Sequence, residues 1–92
     1  MIYKYVLNGT STVLELPKAS KILSVGFQGD TLVVWVDTST HEPEEVTLYA
    51  YATGEEAKKG QIYVGTAMTA NERFVLHVYR DFNMSDLAKG WF

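Results

Sequence analysis

Apolar and polar side chains alternate residue by residue along five stretches of this chain, and in the clearest of them the second face carries rings. In Glu45–Gly54 one face reads Val46, Leu48, Ala50, Ala52 and the other Thr47, Tyr49, Tyr51, Thr53. In Arg73–Asp81 the faces are Phe74, Leu76, Val78 and Val75, His77, Tyr79. In Thr31–Asp37 they are Leu32, Val34, Val36 and Val33, Trp35, Asp37. A period of two is the mark of a strand with one face on a core. A second face of Tyr, Trp and His is neither plain core nor plain solvated surface. It offers flat apolar area with polar tips, which suits a stacking ligand or a protein partner.

The same pattern places seven strands. The first spans Met1–Leu7, and Asn8-Gly9 after it signals a hairpin, because both residues tolerate positive φ. The second is Ser11–Pro17. The third, Lys21–Gln28, puts Leu23, Val25 and Phe27 on one face and Ile22, Ser24, Gly26 and Gln28 on the other. It turns through Gln28-Gly29-Asp30 into the fourth, Thr31–Asp37. After a polar loop the fifth runs Glu45–Thr53. Gly54–Gly60 is a charged loop. The sixth is Gln61–Met68 and the seventh Arg73–Arg80. In the tail, Asn83 or Ser85 can cap a short helix through Leu87 and Lys89, ended by Gly90. The expected fold is all-β: a small antiparallel sandwich or partly open barrel of about seven strands with a short C-terminal helix. Residues 1–80 form the β domain and 81–92 a docking tail.

Composition narrows the chemistry. A 92-residue chain is one domain, and 47% hydrophobic with 21% charged residues fits an ordered one. The formal net charge is −3 and no basic block occurs. That disfavours a nucleic acid polymer as partner. There is no cysteine, and two histidines far apart do not suggest a protein-only zinc site. No nucleophile elbow, P-loop, zinc-protease or dinucleotide motif is present. His77 with Asp81 or Asp37 could pair a base with an orienter, and Ser24 or Thr66 could supply a hydroxyl. The carboxylates at Glu42, Glu44, Glu45, Glu55 and Glu56 fall in or beside loops and read as solvated charge. Neither an enzyme nor a cofactor is expected. The N-terminus lacks the apolar run of a signal peptide, and no stretch approaches a membrane span, so the expected location is cytoplasmic, without a membrane partner.

The candidate ligand residues follow. Trp35, Tyr49, Tyr51, Tyr63 and Tyr79 would stack a base. His77 and Arg80 would meet ribose and phosphate. Thr53-Gly54 and Gly65-Thr66 would add backbone N–H groups and hydroxyls. Phe82, Leu87, Trp91 and Phe92 are assigned to an oligomer interface, and a homo-oligomer is expected because terminal aromatics favour burial.

Several of these strands resemble a family of small phage and prophage proteins. The pieces that carry it are Lys21-Ile22-Leu23-Ser24-Val25, Trp35-Val36-Asp37, Ala52-Thr53-Gly54, Tyr63-Val64-Gly65-Thr66 and Phe74-Val75-Leu76-His77-Val78-Tyr79. An opening Tyr-Lys-Tyr and a Leu-Pro ahead of the third strand agree. The resemblance covers roughly residues 2–80. Family members often carry a histidine and a proline after the turn glycine, where this chain has Glu55-Glu56. The resemblance implies a phage origin and a compact β fold. By analogy of size and origin it extends to a non-enzymatic protein of the infected host's cytoplasm that binds and sequesters a nucleotide-derived signal of host immunity. The alternative is a structural or protein-interaction module, such as a minor virion component or an inhibitor of a host protein.

Overall fold

A computed structural model describes residues 1–82 as seven strands: β1 Ile2–Val6, β2 Ser11–Pro17, β3 Lys21–Gln28, β4 Thr31–Asp37, β5 Pro43–Ala52, β6 Ile62–Met68 and β7 Val75–Arg80. They form two antiparallel sheets, ordered β1-β4-β3 and β2-β5-β7-β6. The expected all-β architecture is the one observed, as a sandwich that does not close into a barrel. The expected short helix, with Leu87, Trp91 and Phe92, lies outside the described residues.

The inward faces carry the side chains that alternation selects. Leu16, Leu32, Val34, Val36, Val46, Leu48 and Val78 are buried in one cluster between the sheets. Removing this apolar area from water is the main favourable term in so small a fold, roughly 1.5–3 kcal/mol for each fully buried Val or Leu.

Three local expectations are corrected. The Asn8-Gly9 turn forms, with Gly9 at φ 70°. It does not close a hairpin: β1 pairs with β4 and β2 with β5, so the turn carries the chain from one sheet to the other. The Thr12 hydroxyl secures it instead, accepting from Asn8 N at 2.8 Å and donating to Asn8 O at 3.1 Å.

The second correction concerns β3. A bulge at Leu23 lets Ile22 pair with Val36 and Ser24 with Trp35. Ile22, Val25 and Phe27 therefore pack on the core together, and Leu23 is exposed. The third is a bulge in β6, where Tyr63 pairs with Tyr79 and Gly65 with Val78, leaving Val64 as the extra residue. An added residue shifts the parity of everything after it. Beside this bulge the two sheets come close. A Cβ on Gly65 would stand 3.1 Å from Val25 Cγ2, so glycine permits the approach of β6 to β3.

Candidate tyrosine–histidine site

The register of the four-stranded sheet lays its outward residues in rows. Tyr63 pairs with Tyr79, Tyr79 with Tyr49, and Tyr49 with Ser11. In the next row Thr66 pairs with His77, and His77 with Tyr51. Tyr49, Tyr51, Tyr63 and Tyr79 are contiguous. Tyr49 and Tyr51 stack at 6.4 Å, while Tyr79 meets Tyr51 at 5.6 Å and Tyr63 at 5.4 Å, edge to face. These are the offset and T-shaped arrangements that ring quadrupoles prefer.

Two hydrogen-bonded chains fix the polar tips. In the first, the Tyr63 hydroxyl meets Thr66 Oγ1 at 2.5 Å, Thr66 Oγ1 meets His77 Nδ1 at 3.0 Å, and His77 Nε2 meets Thr53 Oγ1 at 2.9 Å. The β6 bulge builds this chain, because under strict alternation Tyr63 and Thr66 would face opposite sides. In the second, Tyr49 donates to Asp81 Oδ2 at 3.0 Å, and Gln61 donates to Asp81 Oδ1 at 3.3 Å. Tyr51 in turn donates to Gln61 Oε1 at 2.7 Å. The bond to Asp81, together with desolvation and the carboxylate's charge, raises the Tyr49 pKa above the ordinary phenol value. Lys58 Nζ lies 5.4 Å from the Tyr49 ring centre, within cation–π range.

Between the β5–β6 turn and β7 the surface dips into a hollow of about 260 Å³ lined by Tyr51, Thr53, Gly54, Glu55, His77 and Tyr79, with Ala52 and Ala57. Gly54 supports the turn at φ 97°. The Glu55 carboxylate accepts from Ala52 N at 2.7 Å and closes it. A larger hollow, about 360 Å³, opens between the sheets beside Leu16, Ile22, Ile62, Val64 and Arg80.

The structure gathers eight of the candidate ligand residues on one face: Tyr49, Tyr51, Thr53, Gly54, Tyr63, Thr66, His77 and Tyr79. It separates the other three. Trp35 belongs to the three-stranded sheet, because β4 is not a neighbour of β5. Its ring lies over Gly26, 3.2 Å from where a Cβ would be, on the opposite side of the sandwich. Gly65 faces inward against Val25. Arg80 pairs with buried Leu48, is itself buried, and donates to Asp81 O at 3.2 Å.

The pairing of His77 with Asp81 or Asp37 is also absent. Hydroxyls hold both nitrogens of His77, while Asp37 lies beside the N-terminal amine at 3.4 Å. Phe82, an interface candidate, is exposed. Sequence reasoning missed Gln61 as a link between two tyrosines and took Asp81 for an orienter. Their position directly before β6 and directly after β7 was the available signal. Among the described residues no group of three His, Asp or Glu side chains is placed to hold a metal. No helix there is long and apolar enough to cross a membrane.

Residues 1–86 match the model of a domain of unknown function, DUF7352. The chain belongs to that family. No curated protein and no solved structure matches it.

Proposed function

We propose that the chain is a binding protein whose tyrosine face holds a small, ring-bearing molecule derived from a nucleotide, without transforming it. The observation that carries this reading is the convergence of Tyr51, Thr53, Gly54, His77 and Tyr79 on one hollow of about 260 Å³. That is near the lower end of small-molecule sites, ~300 Å³, with room for one base and its sugar. A base stacked on one ring gains about 1–3 kcal/mol. Arg80 faces the interior, so phosphates would rely on Lys58 and Lys59 in the adjoining loop. Glu55 and Glu56 offset those charges, which favours a ligand with few phosphates.

Taken with the phage resemblance, tight holding without turnover is the chemistry of a sponge. Such a protein withholds an immune signal in the cytoplasm of the infected host, and a homo-oligomer would multiply its sites. The protein-interaction reading has one observation in its favour. The hydroxyls of Tyr49, Tyr51 and Tyr63 bond to the neighbouring side chains of Asp81, Gln61 and Thr66, so these three polar tips would not be stranded against an apolar protein patch.

The test is a thermal-shift panel of ADP-ribose derivatives, mononucleotides and cyclic dinucleotides. A true ligand at one hundred times its Kd adds about 2.7 kcal/mol of stability. Tyr51→Ala and Tyr79→Ala should abolish the shift while leaving the β circular-dichroism spectrum intact. A flat response across the panel overturns the small-ligand reading and leaves the protein partner.

A further inference from the structure

Resting on the reading of this face as a ligand site, we propose that Asp81 is its positioning residue. Its carboxylate holds Tyr49 directly and Tyr51 through Gln61, and so fixes the ring wall on which the ligand stacks.

Tyr49 and Tyr51 lie two residues apart on β5 and leave it on the same side. Their rings are nearly parallel, with 20° between planes and centres 6.4 Å apart. That separation is toward the far end of the range over which rings attract, so stacking alone places them weakly. A phenol swings about its Cα–Cβ bond, and its hydroxyl travels farthest in that swing. Holding the hydroxyl therefore fixes where the ring stands. Both hydroxyls are held, and both lead to one carboxylate. Tyr49 donates to Asp81 Oδ2 at 3.0 Å. Tyr51 donates to Gln61 Oε1 at 2.7 Å, and Gln61 Nε2 donates to Asp81 Oδ1 at 3.3 Å.

The chemistry of the carboxylate orders this set. An ionised carboxylate offers no proton, so Gln61 turns its NH2 to Asp81 and its carbonyl to Tyr51. A carbonyl only accepts, so the Tyr51 proton is committed to Gln61. Asp81 is itself fixed through its backbone. Its N–H donates to Thr47 O at 3.2 Å, and its carbonyl accepts from Arg80 Nη1 at 3.2 Å. The anchor therefore belongs to the sheet, directly after β7, the strand that pairs with β5.

Neither Asp81 nor Gln61 lines the hollow. Tyr51 does, together with Tyr79, whose ring stands edge to face against it at 5.6 Å. The carboxylate therefore acts on a ligand only through the rings. The Tyr51 oxygen also accepts from Lys58 N at 3.4 Å, which brings the β5–β6 loop to the same ring. A wall already in place spares a flat ligand the cost of ordering it on arrival.

The experiment begins on the free protein, where no ligand is needed. Carbon-13 NMR of the tyrosine rings is recorded for Asp81→Ala, Gln61→Leu and Asp81→Asn, with circular dichroism to check that the sheets persist. Asp81→Ala should move the ring signals of both Tyr49 and Tyr51. Gln61→Leu should move those of Tyr51 and leave Tyr49 ionising above the ordinary phenol range, since its bond to Asp81 remains. Asp81→Asn should keep both rings in place even as the Tyr49 pKa falls, because the Gln61 amide can turn over to meet the new N–H and Tyr51 then accepts. Tyr51 signals unmoved by both Asp81→Ala and Gln61→Leu overturn the proposal. So do rings displaced as far in Asp81→Asn as in Asp81→Ala. ADP-ribose is then titrated as probe. Asp81→Ala should weaken its binding about threefold to tenfold, the cost of ordering a released side chain, while Asp81→Asn should bind as the native protein does. Equal affinity for native protein and Asp81→Ala overturns the role of Asp81 in binding. If ADP-ribose does not bind the native protein, the ligand reading of the face loses this support, and the ring signals alone decide the hold of Asp81.

Discussion

The Tyr49 phenol is tied to a carboxylate, and that gives it a pH signature. Its hydrogen bond to Asp81, then desolvation and the charge of Asp81, raise its pKa in the fold. A phenol whose pKa rises on folding favours the folded state while it is protonated. The contribution is whole below the ordinary value of about 10 and is lost as pH climbs through the folded value. A spectrophotometric titration should find Tyr49 ionising above the ordinary phenol range, and Asp81→Asn should lower its pKa toward that range. Gly65 makes a steric prediction. Gly65→Ala drives a methyl to 3.1 Å from Val25 Cγ2, with a second approach at 3.4 Å to Val25 Cβ. The cost should be about 1–3 kcal/mol by urea denaturation, the usual penalty of overpacking. Beside Thr66 it suggested a backbone amide open to phosphate, yet its reason is the distance between sheets. A sequence carries no sign of what stands opposite a glycine.

At the scale of the strand, the two bulges explain both the site and the errors in reading it. Pattern identified all seven strands, with ends displaced by only a residue or two, because each face alternates strongly. It could not place the bulges, since an inserted residue looks like any other until the partner strand is known. Leu23 and Val64 are those residues. Leu23→Ala should therefore change stability by less than about 0.5 kcal/mol, whereas Ile22→Ala should cost roughly 2 kcal/mol, opposite to what unbroken alternation implies. Among the described residues β1 is an edge strand, and its outer side supports another test. By the alternation of antiparallel ladders, the backbone groups of Ile2, Lys4 and Val6 point away from β4. Lys4 is the charge at the centre of that edge, and its Nζ bonds Gln28 Oε1 at 2.7 Å. Lys4→Val removes the charge that guards a strand against pairing with other chains. Light scattering should show increased self-association.

Across the whole molecule, pairing is mostly non-local. Among the described residues only β3–β4 and β6–β7 are hairpins, while β1 reaches β4, β2 reaches β5, and β5 reaches β7. The Asn-Gly turn misled for this reason: its local chemistry is that of a hairpin, but the sheet to which β1 belongs is decided by where its inward face finds a core. Distant pairings delay the energetic return on loop closure. Refolding should occupy milliseconds to seconds when followed by far-ultraviolet circular dichroism, slower than a helical bundle of equal length. The candidate site was legible as rings on one face of β5 and β7, which the ladder joins directly. Trp35 could not be excluded from it, because membership of a sheet is a property of the assembled sandwich.

The stranding of Trp35 across the sandwich from the four tyrosines gives the protein two optical reporters, one on each outer face. With Trp91→Phe removing the second indole, emission excited at the red edge comes from Trp35 alone. A molecule settling on the tyrosines should alter the phenol emission and leave the indole band in place. The indole then serves as a built-in reference for occupancy, and its movement would signal that the three-stranded layer has been disturbed.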